Sequence, residues 1–372
     1  MHILFAGGGT AGHINPALAV AGYIKEKHPD AVISYIGTSD KLEATLVPQK
    51  GYDFHTIEVA GFQRKLSPQN VVKNISAAAK AVTSSIEAKK ILKELKPDVV
   101  VGTGGYVSGP VLRDAVKLGI KTAIHEQNAF PGVTTKMLAK NVDAVMLAMP
   151  QAKKYLKLDK EPVITGNPVR GELLSITREQ ARKKLGFDDR PMILSFGGSL
   201  GARHINEAVE GLIGWHNGTD KFYHIHGTGK SGYKAMLTHL EEKNIKLCDG
   251  VTVREYIDDM DVCMAAADLV ICRAGAITLS ELGACAKPSV LIPSPYVAEN
   301  HQYHNAMTLK NCGAAEVIEE KDLTAEKLID AVSGIIENKP KLKQMAESAR
   351  KNAIVDANER IYEVIMKLYT NA

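Results

Sequence analysis

The chain has 372 residues, which is enough for two domains of ordinary size. Hydrophobic residues make up 45% and charged residues 24%, a composition typical of a globular protein with a sizeable core. The net charge of +4 includes no long basic block, so we expect no nucleic-acid partner.

The cysteine content and the apolar runs indicate a cellular compartment. Five cysteines without any Cys-x-x-Cys spacing are typical of reduced thiols in a cytoplasm. The N-terminus has neither the basic region nor the long apolar region of a secretion leader. No run of about 18 apolar residues is present, so we expect no segment that spans a membrane.

The first half of the chain alternates short β-branched apolar runs with helical segments. Such alternation predicts an α/β fold with a parallel sheet. A turn at Gly166-Asn167-Pro168 then marks a hinge. The predicted strands are residues 3–6, 32–36, 99–101, 122–124 and 144–147, and the predicted helices include 16–27 and 110–118.

The second half repeats this pattern, and its first strand again leads into a glycine-rich turn. We therefore predict two Rossmann-like domains that face each other across a cleft, with boundaries at 1–166 and 167–345. Residues 323–368 are helical in pattern, and we expect 346–372 to pack back on the first domain. The predicted strands are 191–196, 222–225, 251–253, 269–272 and 289–292, with helices at 205–213, 233–243 and 278–285.

Four glycine-rich turns follow predicted strands, at residues 7–13, 102–106, 197–201 and 273–276. Helix N-termini at such turns present N–H groups and a dipole that favour an anion. Four turns in one chain predict a ligand site at the carboxyl ends of two sheets.

The first of these turns matches the dinucleotide fingerprint G-x-G-x-x-G through Gly7, Gly9 and Gly12. That fingerprint requires an acidic residue at the end of the second strand, but Gly37-Thr38-Ser39 stands there. The turn ends instead in His13, a side chain suited to proton transfer near neutral pH. We therefore favour a catalytic base over a dinucleotide site.

Polar residues follow other predicted strands, where they line a site more readily than a core. Glu126 can orient His13, contact a hydroxyl or act as the base itself, and Asn128 can bind sugar hydroxyls. Arg170, beside the hinge, can neutralise a phosphate, and Glu281 can accept both hydroxyls of a ribose.

Two patterns are candidates for a metal site. His224 and His226 point to one face of a strand but lack a third ligand nearby. Asp259-Met260-Asp261 matches the D-x-D pattern of metal-dependent glycosyltransferases but lies in a surface-like run away from the polar clusters. We expect no metal and no cofactor.

Six motifs extend over nearly the whole chain. They are Gly8-Gly9-Thr10-Ala11-Gly12-His13, Gly104-Gly105-Tyr106-Val107-Ser108-Gly109-Pro110, His125-Glu126-Gln127-Asn128, Gly166-Asn167-Pro168-Val169-Arg170, Gly197-Gly198-Ser199 with Gly201-Ala202-Arg203, and Arg273-Ala274-Gly275-Ala276 through Ser280-Glu281. In these motifs the chain resembles the MurG family of bacterial glycosyltransferases.

The resemblance implies a GT-B fold and an inverting, metal-independent transfer. GlcNAc passes from UDP-GlcNAc to the 4-hydroxyl of MurNAc in lipid I (undecaprenyl-pyrophosphoryl-MurNAc-pentapeptide), which gives lipid II for peptidoglycan. It also implies a peripheral protein on the cytoplasmic face of the cell membrane, among other cell-wall synthesis proteins. The N-terminal domain would bind the lipid acceptor and the C-terminal domain the donor.

The resemblance also implies site residues. We choose His13 as the catalytic base, with Glu126 as the competing candidate. Tyr106 and His125 lie on the acceptor side. The implied donor contacts are Thr10, Ala11, Gly12, Asn128, Arg170, Ser199, Ile257 (to uracil), Ala276, Ile277, Thr278, Leu279, Ser280, Glu281 (to ribose) and Gln302.

Residues 64–95 combine basic residues with an apolar stripe at helical spacing, which suits contact with an anionic lipid surface. An ordinary amphipathic helix packed on the core gives the same pattern. The basic residues are Arg64, Lys65, Lys73, Lys80, Lys89, Lys90 and Lys93, and the stripe is Val71, Ile75, Ala78, Val82 and Ile86.

Two other functions remain open. A UDP-GlcNAc 2-epimerase shares the fold and the nucleotide but needs no surface that faces lipid. A non-catalytic sugar-nucleotide sensor needs neither His13 nor Glu126.

Overall fold

The computed structural model describes residues 1–59, 83–198 and 201–371. It divides into two compact units, which we treat separately. Unit 1 is Met1–Pro168 together with the residues from Asp356 onward, and unit 2 is Val169–Val355. These boundaries lie two residues after the predicted hinge boundary of 166 and ten residues after the predicted return at 346. The return comes later because the helix Lys339–Lys351 stays with unit 2, where Ala349 and Ala353 lie against Gly283.

Unit 1 is built on a parallel sheet, which has seven strands in the described residues and the order β3-β2-β1-β4-β5-β6-β7. The strands are β1 His2–Gly7, β2 Val32–Gly37, β3 Asp53–Thr56, β4 Val99–Gly104, β5 Lys121–Glu126, β6 Ala144–Leu147 and β7 Val163–Ile164. The helices are α1 Ala11–Lys27, α2 Glu43–Gln49, α3 at 83–95, α4 Gly105–Lys117, α5 Val133–Leu138 and the C-terminal α14 Ala357–Thr370.

Alternate residues of β1 enter two different cores, because successive side chains of a strand point to opposite faces. Ile3 and Phe5 pack with residues of α1 and α14. Leu4 and Ala6 pack with residues of α3, α4 and α5. A strand that is buried on both faces reads as a continuous apolar run, which explains why the sequence pattern predicted it.

Unit 2 has a second parallel sheet, with six strands in its described part and the order β10-β9-β8-β11-β12-β13. The strands are β8 Met192–Phe196, β9 Tyr223–Gly227, β10 Val251–Arg254, β11 Leu269–Cys272, β12 Ser289–Leu291 and β13 Ala315–Val317. The helices are α6 Arg178–Leu185, α7 Arg203–His216, α8 Tyr233–Glu242, α9 Met260–Ala266, α10 Ala276–Ala284, α11 His301–Asn311, α12 Ala325–Ile336 and α13 Lys339–Lys351.

The strand order reverses once in each sheet, next to β1 in unit 1 and next to β8 in unit 2. In unit 1 the chain leaves β1 toward β2 and β3 and returns on the other side of β1 with β4. In unit 2 it leaves β8 toward β9 and β10 and returns with β11. Ligands of open parallel sheets bind beside the carboxyl ends of strands at such a reversal.

Four helices begin earlier than the sequence pattern predicted, namely α1, α4, α7 and α10. We expected α1 to begin at Pro16 and α4 at Pro110, because proline is common in the first helical turn. The structure places each proline at the sixth position of its helix, in α1 from Ala11 and in α4 from Gly105. The glycine-rich turns therefore lead directly into helix N-termini. α10 likewise begins two residues earlier than predicted, at Ala276.

Among the described residues, no helix is both long enough and apolar enough to cross a membrane.

Candidate functional site

All four glycine-rich turns lie at the two points where strand order reverses. The turns after β1 and β4 meet in unit 1. In unit 2, Gly197 and Gly201, from the described part of the turn after β8, line one cavity with Arg273 of the turn after β11. In unit 1 the two backbones are so close that a Cβ on Gly105 would lie 2.4 Å from the carbonyl oxygen of Gly8. Gly105 also has φ of +78°, so only glycine fits there without strain.

The buried carboxylate of Glu43 holds the first turn in place. One oxygen accepts a hydrogen bond from the Gly9 backbone N–H at 3.0 Å. The other accepts from the backbone N–H and the hydroxyl of Thr38, at 3.1 and 2.9 Å. The side chain therefore supplies, from within the protein, the negative charge that such a turn attracts. Sequence reasoning missed Glu43, although it noted that the dinucleotide fingerprint lacks its acidic residue.

The predicted base His13 lies in the first turn of α1 and is half-buried. Its Nδ1 is 3.1 Å from Oε1 of Gln127, which is buried at the end of β5. A Cβ on Gly104 would lie 2.6 Å from that Nδ1, so glycine at 104 makes room for the ring. The structure thus brings the first turn and the polar cluster after β5 together. The residue that contacts His13 is Gln127, however, and not Glu126, which the sequence suggested for orienting His13.

Glu126, the other candidate base, binds the loop that follows it. Oε1 accepts from the backbone N–H and the side-chain amide of Asn128, at 3.0 and 3.1 Å. Oε2 accepts from the Gly132 backbone N–H at 2.9 Å and the Thr135 hydroxyl at 2.6 Å. The carboxylate is 3% exposed and its four hydrogen bonds occupy both oxygens.

The two predicted acceptor-side residues differ in accessibility. Tyr106 is 63% exposed at the N-terminus of α4. His125 is 2% exposed, and its Nε2 is 2.9 Å from the Gly166 carbonyl oxygen. Burial lowers the pKa of His125, which keeps the ring neutral. The geometry therefore favours Tyr106 over His125 as an acceptor contact.

In unit 2, Arg170 and Glu281 form an ion pair. Arg170 Nε lies 2.8 Å from Glu281 Oε1. The Glu281 side chain is 8% exposed and that of Arg170 is 53% exposed. The arginine therefore holds the carboxylate in place at α10 while its own guanidinium remains reachable from solvent.

The other predicted donor contacts differ in how far they are exposed to solvent. Thr10, Ala11 and Gly12 are exposed, and Asn128 is half-buried. Leu279 is 2% and Ile257 5% exposed. Ala276 is also buried, whereas Ile277, Thr278, Ser280 and Gln302 are half-buried. Ser199 lies outside the described residues.

A cavity of about 390 Å³ opens beside the turns after β8 and β11. Of the predicted donor residues that the structure describes, only Gln302 lines it. Its Oε1 accepts from the Ser294 backbone N–H at 2.9 Å. The other lining residues are Gly197, Gly201, Ala202, Arg203, His204, Arg273, Ser294, Tyr296 and Glu320.

Glu320 connects two other side chains of that wall. It pairs with Arg273, and its Oε1 lies 3.0 Å from His204 Nδ1. Burial alone would raise the pKa of this carboxyl, but the hydrogen bonds of Arg273 and His204 outweigh burial and lower the pKa. Sequence reasoning did not identify Glu320, because it lies in a short 3₁₀ helix that is far along the chain from any glycine-rich turn.

The two patterns considered for a metal have other partners. Nε2 of His224 and Nδ1 of His226 both lie 2.7 Å from the Ser195 hydroxyl. Asp259 Oδ1 lies 2.7 Å from Arg254 Nη1. No group of three or more histidine, cysteine or acidic side chains arranged for a metal occurs in the described residues.

Two family models match the chain. The glycosyltransferase family 28 N-terminal domain matches residues 3–147, and the family 28 C-terminal domain matches residues 192–361. Together they cover parts of both units.

The chain is similar over its whole length to curated proteins named UDP-N-acetylglucosamine--N-acetylmuramyl-(pentapeptide) pyrophosphoryl-undecaprenol N-acetylglucosamine transferase. The protein from Acetivibrio thermocellus is 48% identical over 372 residues, which cover 100% of this chain and 99% of that protein. The protein from Caldanaerobacter subterraneus subsp. tengcongensis is 46% identical over 98% of this chain and 99% of that protein.

Solved structures agree with the fold. The crystal structure of Acinetobacter baumannii MurG has a TM-score of 0.81 and 29% identity, over 98% of this chain and 99% of that one. A UDP-N-acetylglucosamine 2-epimerase described as putative, from Listeria monocytogenes, has a TM-score of 0.67 at 14% identity, over 100% and 97% of the two chains, and shows the fold alone. The predicted GT-B fold is therefore confirmed. The full-length relatives and both family models show that the chain belongs to glycosyltransferase family 28, within the MurG family.

Proposed function

We propose that the protein transfers GlcNAc from UDP-GlcNAc to the 4-hydroxyl of MurNAc in lipid I, with inversion, to make lipid II. The observation that carries this proposal is the full-length similarity to proteins named for that transfer, at 48% identity to the first of them. The geometry adds His13 in unit 1, whose Nδ1 contacts Gln127, and the ion pair of Arg170 and Glu281 in unit 2.

In the proposed reaction, His13 takes the proton of the acceptor hydroxyl. As the new C–O bond forms at the anomeric carbon, the bond to the phosphate oxygen breaks and UDP leaves with that electron pair from the opposite face. His13 has the exposure for this step, whereas both oxygens of Glu126 are occupied by the loop at 128–135. We therefore assign the base to His13.

The donor is proposed to bind unit 2. Glu281, held by Arg170, would accept the ribose hydroxyls, and the exposed guanidinium would face the pyrophosphate. The N-terminus of α10 adds the positive end of a helix dipole. These charges stabilise the leaving UDP, so we propose a transfer that needs no metal ion.

The acceptor is proposed to bind unit 1, at the membrane surface on the cytoplasmic side. Of the basic and apolar stretch 64–95, only 83–95 lies within the described residues. There Ile86 is 63% exposed, and Lys89, Lys90 and Lys93 are exposed on the same helix. An exposed apolar side chain among lysines fits an anionic lipid surface. Other cell-wall synthesis proteins are proposed as partners there.

One assay tests the proposed function. Labelled UDP-GlcNAc is incubated with a lipid I analogue, with and without EDTA, and the products are separated. We expect label in the lipid fraction in both arms. Formation of UDP-ManNAc would instead indicate an epimerase, and donor binding without any product would indicate a sensor. Loss of transfer only in the EDTA arm would contradict the proposed metal independence but not the proposed transfer.

A further inference from the structure

Gln127 lies between two histidines and contacts both. Its position in the sequence, within the polar cluster after β5, indicates no role of its own. We propose that Gln127 is a positioning residue that fixes which nitrogen of His13 carries the proton. The inference rests on the proposed function for its catalytic meaning, but the hydrogen-bond argument stands on the geometry of unit 1.

A backbone carbonyl oxygen can only accept a hydrogen bond. His125 Nε2 lies 2.9 Å from the Gly166 carbonyl oxygen, so Nε2 carries a hydrogen. Burial lowers the pKa of His125, and the ring is therefore neutral. A neutral imidazole with a hydrogen on Nε2 has a lone pair on Nδ1.

The amide of Gln127 is oriented by that lone pair and by two carbonyls. Its Nε2 lies 3.1 Å from His125 Nδ1 and 3.0 Å from the carbonyl oxygens of both His125 and Thr103. The reverse orientation would place the amide oxygen against two carbonyl oxygens and a lone pair. The NH₂ group therefore faces this end, and Oε1 faces the other.

Oε1 lies 3.1 Å from His13 Nδ1. Since an amide oxygen only accepts, the Nδ1 of His13 carries the hydrogen and donates it. In the neutral ring the lone pair is then on Nε2. The Gly166 carbonyl thus determines, through His125 and Gln127, which atom of His13 acts as the base.

The chain of bonds suits the proposed proton transfer. When Nε2 takes the proton of the acceptor hydroxyl, Nδ1 keeps its hydrogen and its bond to Gln127, so nothing in the chain has to rearrange. Two carboxylates lie near this region. Glu43 is bonded to Gly9 and Thr38, and Glu126 to the loop at 128–135, so neither replaces Gln127 at Nδ1.

NMR measures the tautomer of the His13 ring directly. Protein labelled with ¹⁵N-histidine is studied by NMR without substrate, above the pH at which His13 is protonated. In the wild type we expect the His13 resonances of a ring with hydrogen on Nδ1. In Gln127→Met, which keeps side-chain length but has no acceptor, we expect a mixture of tautomers. Transfer assays on the same samples should show kcat reduced about 10- to 100-fold, with KM for UDP-GlcNAc little changed.

Two further variants separate positioning from folding. Gln127→Glu keeps an oxygen acceptor at Nδ1, so it should retain the Nδ1–H tautomer and more activity than Gln127→Met. Its second oxygen faces the carbonyl oxygens of Thr103 and His125, so we expect a lower melting temperature although the tautomer is kept. Thr122→Val removes the two hydrogen bonds between the Thr122 hydroxyl and Asp143 at the other end of β5, which are 3.0 and 3.3 Å long. It should leave both the tautomer and kcat unchanged.

The inference is overturned if wild-type His13 carries its hydrogen on Nε2, or if Gln127→Met leaves the tautomer unchanged. Because the NMR measurement needs no substrate, a correct tautomer with no lipid product would count against the proposed function only. Lipid product with the opposite tautomer would count against this inference only.

Discussion

The two candidate bases differ at the scale of single residues in what their polar atoms contact. Glu126 accepts four hydrogen bonds from the loop that follows it, so the carboxylate stabilises that loop. His13 has one nitrogen bonded to Gln127, while the ring is half-buried. A carboxylate with both oxygens occupied makes a poor base, because proton uptake would break bonds that favour its charged form.

We therefore predict that His13→Ala lowers kcat by about 10²- to 10⁴-fold, the range that general bases contribute, with little change in KM for UDP-GlcNAc. Steady-state kinetics with a lipid I analogue measure both constants. Glu126→Gln serves as the comparison, and we expect it to lower the melting temperature more than His13→Ala does. A larger loss of kcat in Glu126→Gln, at unchanged melting temperature, would assign the base to Glu126.

At the scale of elements, unit 2 contains a buried row of three histidines on β9 and the end of α7. His216 Nε2 lies 2.9 Å from His224 Nδ1. His224 and His226 share the Ser195 hydroxyl, and His226 Nε2 lies 3.2 Å from Asn206 Oδ1. Burial lowers the pKa of His216 and of His226 from the usual 6.5 to about 4.

The sign of the pH dependence follows from these shifts. Between pH 6.5 and about 4 the unfolded chain binds protons at these histidines and the folded unit does not, so stability falls as pH falls. Each pKa unit corresponds to about 1.4 kcal/mol, so protonation of the row lowers the free energy of unfolding by an amount on the order of a few kcal/mol.

We predict that the urea midpoint of unit 2 falls between pH 7 and pH 5, and that His216→Gln makes this fall smaller. The fluorescence of Trp215 reports on unit 2 alone, because it is the one tryptophan of the chain and lies in α7. His55→Gln, in β3 of unit 1, is the control. It should leave the change of the urea midpoint between pH 7 and pH 5 as it is in the wild type. A midpoint that does not change from pH 7 to pH 5 would contradict the prediction.

Several elements were missed by sequence patterns, and each for a physical reason. β3 and β13 are the edge strands of their sheets, and each is three or four residues long. An edge strand is only partly covered, so it lacks the continuous apolar run that revealed β1 and β4. Of the short helices, α2 and α5 have seven and six residues, too few for a clear helical period.

At the scale of the whole molecule, the proposed activity requires the protein to reach a lipid-anchored acceptor. In the described part of 64–95, buried Ala88 and Leu92 fix α3 on the core of unit 1, while Ile86 and three lysines face outward. The core-packing and the lipid-facing interpretations of this segment are therefore compatible, because different faces of the helix serve each.

We predict that replacing Lys89, Lys90 and Lys93 with glutamate weakens binding to vesicles that contain anionic lipid, by roughly 1 kcal/mol per lysine near the surface. Vesicle flotation measures the bound fraction. In the matched control, glutamate replaces three exposed lysines of unit 2, namely Lys321, Lys327 and Lys343. This variant should bind the vesicles as the wild type does. Equal binding by all three proteins would remove α3 from the membrane contact.

The sequence by itself determined the parallel α/β architecture, the interior strands, the glycine-rich turns and the residue types of the site. It could do so because buried strands and turns depend on residues that are close along the chain. The tertiary structure decided which distant groups meet. His13 and Gln127 are 114 residues apart, and Arg170 and Glu281 are 111 apart. The order of strands places two pairs of turns side by side and brings Glu43 to the first of them. Local patterns carry no information on these pairings, because packing and hydrogen bonding between separate elements determine them.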